Sequence, residues 1–204
     1  MRDLNPVIIA LTGGIACGKS TVTHLLSQLG IDIIDTDVIA KHIVQPNQPG
    51  WRAIYQRFGE SILLPNRAIN RAKLRDTVFN EPAQKTWLDQ TLHPLIRQQA
   101  AQQIAASQSP YCLLIIPLLD QNTPAYYPSF ARILLVDLPE AEQRERLKIR
   151  DNIDDALAQR IIDCQPSRQA RLALADDIID NSQPPDQLPK IVDQLHKQYL
   201  QLTS

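Results

Sequence analysis

Near the start of the chain the apolar run Val7-Ile8-Ile9-Ala10 leads straight into Leu11-Thr12-Gly13-Gly14-Ile15-Ala16-Cys17-Gly18-Lys19-Ser20-Thr21-Val22. An apolar stripe follows at helical spacing, Val22, Leu25, Leu26 and Leu29, with Gly30 behind it as a helix stop. A buried-type strand, a glycine-rich turn and an amphipathic helix are thus joined with no spare residues. Gly13, four residues, then Gly18, Lys19 and Ser20 fit the G-x4-G-K-[ST] spacing of a phosphate-binding loop. Glycine lets the backbone approach an anion without a Cβ in the way, and successive N–H groups can then form an anion nest. The helix adds the positive end of its dipole. Lys19 supplies a mobile charge for the β and γ phosphates, and Ser20 a hydroxyl for Mg²⁺. A chance glycine-rich turn is the alternative, and the strand and helix on either side argue against it.

Composition narrows the class. The 204 residues are 44% hydrophobic and 21% charged, which suits one globular unit with room for an inserted subdomain. A net charge of −1 gives no bulk attraction to nucleic acid or to an anionic membrane, and no apolar stretch reaches the roughly 20 residues a bilayer requires. Cys17, Cys112 and Cys164 are far apart, with neither metal-site nor disulfide spacing, which points to a reducing cytoplasm. Met1-Arg2-Asp3 runs into a strand within a few residues, leaving no room for a signal peptide.

Five short apolar runs read as strands of a parallel sheet buried on both faces: 7–11, 31–34, 111–116, 132–136 and 178–179. The last helix repeats the amphipathic logic with Leu188, Ile191, Val192, Leu195 and Tyr199. The spacing predicts an α/β fold with two inserts. The first, between the second and third strands, reads as helices over 51–58, 71–79 and 86–107, punctuated by Pro46, Pro49, Pro65, Pro82 and Pro94. The second, roughly 140–171, is rich in arginine and lysine. Arg144, Lys148 and Arg171 read there as a solvated face. Two inserts on a phosphate-loop core are what a small kinase needs, one to grip the acceptor and one to close over the nucleotide.

Asp35-Thr36-Asp37 follows the second strand, at the strand end where open α/β sheets bind ligands. A carboxylate there can orient a hydroxyl and take its proton, or hold magnesium through water. It can equally cap the next helix. The residues favour chemistry for Asp37 and leave Asp35 open between the two.

The segments TGGIACGKST and IDTDVIAKHIV resemble the dephospho-coenzyme A kinase family. So do INRAKLRDTVF, WLDQTLHPLIRQ, PYCLLIIPLL, RERLKIRD, RIIDCQPSRQARLALADDIIDN and LHKQYL, in that order over nearly the whole chain. The resemblance implies transfer of the γ-phosphate of ATP, with Mg²⁺, to the 3′-hydroxyl of dephospho-coenzyme A. It implies one kinase unit over 1–204: a nucleotide-binding P-loop core with a five-stranded parallel sheet (1–34, 108–139 and 172–204), a helical acceptor insert (35–107) and a small helical lid (140–171). The monomer and a small homo-oligomer stay open. Gly13, Gly14 and Ala16 through Thr21 fall around the ATP phosphates, Cys17, Gly18, Lys19 and Ser20 among them. Asp37 falls near the acceptor hydroxyl. Asn70, Arg71, His93, Arg97, Pro117 and Leu118 fall on the acceptor side. Arg146 and Arg150 match lid arginines, and Arg160 and Gln165 a lid R-x4-Q. Asn181 falls at the end of the fifth strand, where this fold class holds adenine. Bottom-up, Asn70-Arg71 can cap a helix, His93-Pro94 can begin one, and Arg160 can pair with Asp155 or Asp163.

Three positions depart from the family pattern. Ala16 replaces a loop glycine and is expected at negative φ. Cys17 replaces serine, and beside a helix N-terminus and Lys19 its thiol is expected to be acidified. Asp120-Gln121 stands where the pattern has an apolar residue and Glu, so the acid either is lost or moves to Asp120. The rival readings are another small-molecule kinase, such as one acting on a nucleoside monophosphate or a shikimate-like acceptor, and a nucleotide-binding regulator. No Asn-Lys-x-Asp base reader of a GTPase occurs.

Overall fold

A chain end needs partners for its strands before a turn can be aimed, and here the first strand lies at the centre of the sheet. The computed structural model describes residues 6–123, 127 and 129–203. Residues 1–3, on which the signal-peptide reading rests, lie outside them. Five parallel strands, β1 (Val7–Gly13), β2 (Asp32–Asp35), β3 (Tyr111–Ile115), β4 (Arg132–Asp137) and β5 (Asp177–Asp180), run in the order β2-β3-β1-β4-β5. β1 pairs with β3 from Val7 and with β4 from Ile9, so its last residues, Thr12 and Gly13, are still held by Leu135 and Val136.

β1 and β3 are apolar on both faces because both are covered. At the edges the expectation of full burial fails: Asp32 and Ile178 are exposed on β2 and β5. Four of the strands also run one or two residues further than their apolar runs at the carboxyl end. The polar residues there, Thr12, Asp35, Asp137 and Asp180, carry no hydrophobic signal yet continue the ladder. Helices α1 (Lys19–Gln28) and α9 (Leu188–Gln201) contribute Val22, Leu26, Leu188, Val192 and Tyr199 to one cluster with Ile9, Leu11, Leu113 and Leu134. Each such buried side chain contributes roughly 1.5–3 kcal/mol over its exposed state.

The chain divides into two compact units, one of Met1–Asp35 with Gln103–Ser204 and one of Thr36–Gln102. The second holds α2 (Thr36–Ile43), α3 (Pro49–Phe58), a 3₁₀ turn at Glu60–Ile62, α4 (Arg71–Asn80) and most of α5 (Pro82–Ala106). Its core is Trp51, Ile54, Ile62 and Ile69, with Trp87, Leu88 and Leu92 packed on it. Pro82 opens α5, four residues before the expected start, and His93-Pro94 lies inside that helix rather than at its beginning. An interior proline costs about 3 kcal/mol. The packing of Trp87 and Leu88 before the turn it weakens, and of Leu92 within it, works against that cost.

The second insert forms α6 (Glu140–Asp151) and α7 (Asp155–Asp163), and α8 (Arg168–Leu174) returns the chain to β4. Leu147, Ala158 and Ile162 make a small core of their own. Lys148 behaves as a surface residue, paired with Glu145 and Asp155. Arg171 does not. It is 3% exposed, and its guanidinium donates to the Pro166 carbonyl. Charge density along the sequence could not separate the buried arginine from its solvated neighbours. Among the described residues no ion pair joins Arg160 to Asp155 or Asp163. Asp155 is taken by Arg144 and Lys148.

On the last helix Tyr199 donates to Asp177 Oδ2 at 3.0 Å, and Arg132 grips both Asp177 oxygens from β4. These contacts hold the Asp177 carboxyl below its ordinary value, the Arg132 hydrogen bond most of all. The native state therefore binds that proton more weakly than the unfolded chain. The stabilisation is present above the unfolded value, about 3.9, and is lost as pH falls through the native one. Asp177→Asn should flatten the acid limb of the stability curve, so that denaturant midpoints at neutral pH and below about pH 4 lie closer together than in the wild type.

Candidate active site

The turn between β1 and α1 is held from several sides. Gly18 is the N-cap of α1 at φ 100°, and this helix start has no side-chain cap and no acidic residue in its first turn. By contrast α4, α7 and α8 are capped by Asn70, Asp154 and Ser167. Ser20 and Thr21 are exposed on the uncapped first turn. The Lys19 ammonium lies back along the loop, donating to the Gly13 carbonyl at 2.7 Å and the Gly14 carbonyl at 2.8 Å. Asn181, just past β5, donates through Nδ2 to the Cys17 carbonyl at 2.8 Å. Gln165 accepts the Ile15 N–H at 2.9 Å. The loop's flank, Ile15 and Ala16, packs against the small α6–α7 core of Leu147, Ala158 and Ile162.

Two expectations about this loop are overturned. Ala16 has φ 57°, in the left-handed region. The nest requires that turn, and alanine adopts it at about 1–2 kcal/mol because bonds and packing on both sides leave it no other path. Cys17 is 1% exposed, and burial pushes its thiol up despite the opposing pull of Lys19. Desolvation of a thiolate there outweighs the nearby charge.

Arg146, on α6, donates to the Asn181 carbonyl at 3.0 Å and also faces Glu142. The structure thus brings Arg146, Asn181 and the loop together. Asn181 reaches the loop's own backbone, a role its position at a strand end did not reveal. Arg150 is turned to Asp151. Asp137, 6% exposed at the end of β4, takes two guanidinium nitrogens of Arg168. Sequence reasoning passed over this pair, although Asp137 ends an apolar strand just as Asp35 does. It also passed over Gln143. That side chain is buried over Gly14, with Nε2 donating to the Leu138 carbonyl at 2.6 Å and no hydrogen-bond partner for Oε1 among the described residues.

Asp35 ends β2, and Asp37 is exposed in the first turn of α2. In the unit Thr36–Gln102, Asn70 caps α4 by accepting from the Lys73 N–H, and Arg71 opens that helix. His93 and Arg97 lie one turn apart on α5. Pro117 follows β3, its carbonyl 3.5 Å from the Thr12 hydroxyl, and Leu118 is exposed. Asp120 Oδ1 accepts from the Asn122 N–H, the Thr123 N–H and the Thr123 hydroxyl. Those bonds, the Thr123 hydroxyl first, hold its carboxyl below the ordinary value. The acid that stands one position early therefore ties its own loop together.

The CoaE family model, described as dephospho-CoA kinase, matches residues 7–186. The chain belongs to the dephospho-CoA kinase family. A dephospho-CoA kinase of Shigella flexneri is 43% identical over 197 residues, 97% of this chain and 95% of that one. One from Escherichia coli K12 is 42% identical over the same share of both. Among solved structures, a Thermus thermophilus protein matches with a TM-score of 0.80 at 23% identity, covering 96% of this chain and 98% of its own. A dephospho-CoA kinase from Campylobacter jejuni matches at 0.70 and 24%, covering 97% and 98%. A shikimate kinase of Acinetobacter baumannii, solved with shikimate, matches at 0.53 and 14%, covering 96% and 93%, and so shares the fold alone.

The family's loop glycines have different physical reasons here. A Cβ on Gly14 would lie 2.2 Å from Gln143 Oε1, a side-chain atom that can be removed. A Cβ on Gly18 would lie 2.2 Å from Asn181 Nδ2 on a backbone at φ 100°. Gly14→Ala should weaken ATP binding, and Gly14→Ala with Gln143→Ala should restore most of it. Gly18→Ala should stay impaired when Asn181→Ala is added, because the backbone penalty of about 1–2 kcal/mol remains. Calorimetric ATP affinities of the four variants measure both differences.

Proposed function

We propose that this chain transfers the γ-phosphoryl group of ATP to the ribose 3′-hydroxyl of dephospho-coenzyme A, yielding coenzyme A and ADP, the last step of coenzyme A biosynthesis. The observation that carries this reading is the alignment of nearly the entire chain with bacterial dephospho-CoA kinases at 42–44% identity. The phosphate loop supports it. An uncapped helix start, three loop glycines with no room for a Cβ and a lysine whose ammonium lies along the loop fit a polyphosphate.

In this reading Ala16 through Thr21 lie around the ATP phosphates, and Gly13 and Gly14 allow the turn. Lys19 moves from the loop carbonyls to the β and γ oxygens and follows the transferring group. Ser20 would hold Mg²⁺, an ion that is typically bound by one or two protein oxygens plus substrate phosphates and water. The ion supplies charge neutralisation at those phosphates when bound. Ser20 stands exposed on the first turn of α1, where its hydroxyl can reach an ion carried by the phosphates. Arg146 neutralises charge on the γ-phosphoryl group. Asn181 serves ATP through the loop carbonyl it grips.

Asp37 orients the ribose hydroxyl and accepts its proton as the new P–O bond forms. Asn70, Arg71, His93, Arg97, Pro117 and Leu118 contact the acceptor. The unit Thr36–Gln102 carries nine Lys and Arg against five Asp and Glu, whereas the chain totals 21 against 22. A positive unit suits an acceptor that brings its own diphosphate. The enzyme works in the cytoplasm, as a monomer or a small homo-oligomer. Among the described residues no helix is long and apolar enough to cross a membrane.

ADP release should rise with dephospho-coenzyme A and stay at background with AMP, shikimate or coenzyme A. Equal rates with AMP would reject the assignment. Asp37→Asn keeps the shape and removes the basicity. It should lower turnover about 10²–10⁴-fold, with ATP affinity nearly unchanged. Full activity of that variant would leave proton removal to the phosphoryl group or to water.

A further inference from the structure

An N–H that points away from an anion nest needs another acceptor, and the one at Ile15 finds it 150 positions along the chain. Its partner is Gln165 Oε1, at 2.9 Å. Gln165 is itself fixed, because it directly follows the α7 cap Cys164 and its own N–H is bonded to the Ile162 carbonyl. Ile162 in turn belongs to the small apolar core that Ile15 and Ala16 pack against. A single short segment thus holds both the polar and the apolar side of the loop's flank.

The residue beside this bond is the strained one, Ala16 at φ 57°. A left-handed alanine relaxes to negative φ unless its neighbours hold it. That relaxation would rotate the peptide between Ala16 and Cys17 and re-aim the next amide of the nest. The Ile15–Gln165 bond fixes one side of the strained residue, and the Asn181 bond to the Cys17 carbonyl fixes the other.

We infer that Gln165 is a positioning residue for phosphoryl transfer: through the Ile15 amide it sets the conformation of the phosphate loop, so that the end of lid helix α7 controls how well the loop binds ATP. This rests on the reading of the loop as the ATP site, and ATP binding by the wild-type protein tests that reading separately.

The experiment compares Gln165→Met, which keeps the length but removes the acceptor, with Gln165→Glu, which keeps an acceptor oxygen and adds a charge. Gln159→Leu on the same helix, where the side chain bonds Asp163 instead of the loop, is the control for general loosening of the lid. ATP affinity is measured by calorimetry, KM for each substrate and kcat by ADP release, and Tm by thermal melting. Leaving the Ile15 N–H without its partner should raise the ATP Kd and KM about tenfold, with KM for dephospho-coenzyme A unchanged and Tm close to that of the control. The Glu variant should also bind ATP weakly at low salt, through repulsion, but recover as salt screens its charge, whereas the Met variant should not recover. Wild-type ATP affinity in the Met variant would overturn the inference. So would a rise in both KM values together with a fall in Tm, because that is the result of a purely structural role. A wild-type protein that gave no ATP-binding heat would instead reject the ATP site itself.

Discussion

Amides that meet a phosphate cannot also be spent on the loop's own carbonyls, so a loop that cradles an anion has few internal bonds to hold its shape. Everything around β1 answers that constraint. The loop's carbonyls and its outward amide are satisfied by its own Lys19 ammonium and by two groups brought from elsewhere, the amide of Asn181 and the amide oxygen of Gln165. Both distant groups depend on a larger element. Asn181 is placed by β5 and by a bond from its N–H to the Asp137 carbonyl, and Gln165 by the end of α7. The central position of β1 in the sheet fixes where the loop begins.

The α6–α7 insert therefore also supports the loop. Its small apolar core includes the side of the loop, so the helices that follow Pro139 are part of the phosphate site's foundation. Arg146 extends the same logic. It is tethered to the Asn181 carbonyl, so the arginine and the loop share a support. The Asp137–Arg168 pair closes the far side, tying α8 to the end of β4.

What the sequence made legible was whatever leaves a periodic or spaced signal. The sheet runs, the amphipathic α1 and α9 and the G-x4-G-K-S turn all do so, and the structure contains them. The polar strand ends at Thr12, Asp137 and Asp180 were missed because ladder bonds extend beyond the hydrophobic run. Burial of Arg171 was missed because one arginine in a charged stretch looks like another until α8 is laid on β4. The positive φ of Ala16 was missed because residue type argued one way and the tertiary frame the other, and the frame prevailed. Gln165 was visible only as a pattern match. Its use depends on a partner 150 residues away, and no local rule carries that distance.

Burial of Cys17 has a chemical consequence for an enzyme whose acceptor and product both end in a thiol. Mixed disulfides form when a thiolate attacks an accessible disulfide, or when an accessible protein thiolate does the same to a disulfide of the ligand. Cys17 offers neither the access nor the thiolate: its sulfur is packed against Gly13 beneath the loop, and burial keeps it protonated. The same packing that lets a cysteine stand at this position makes the phosphate loop inert toward the sulfur chemistry of its own substrate. Cys112 is likewise buried in β3, with its thiol pushed up to about 11, and only Cys164, at the solvent-facing end of α7, meets oxidised thiols from solution.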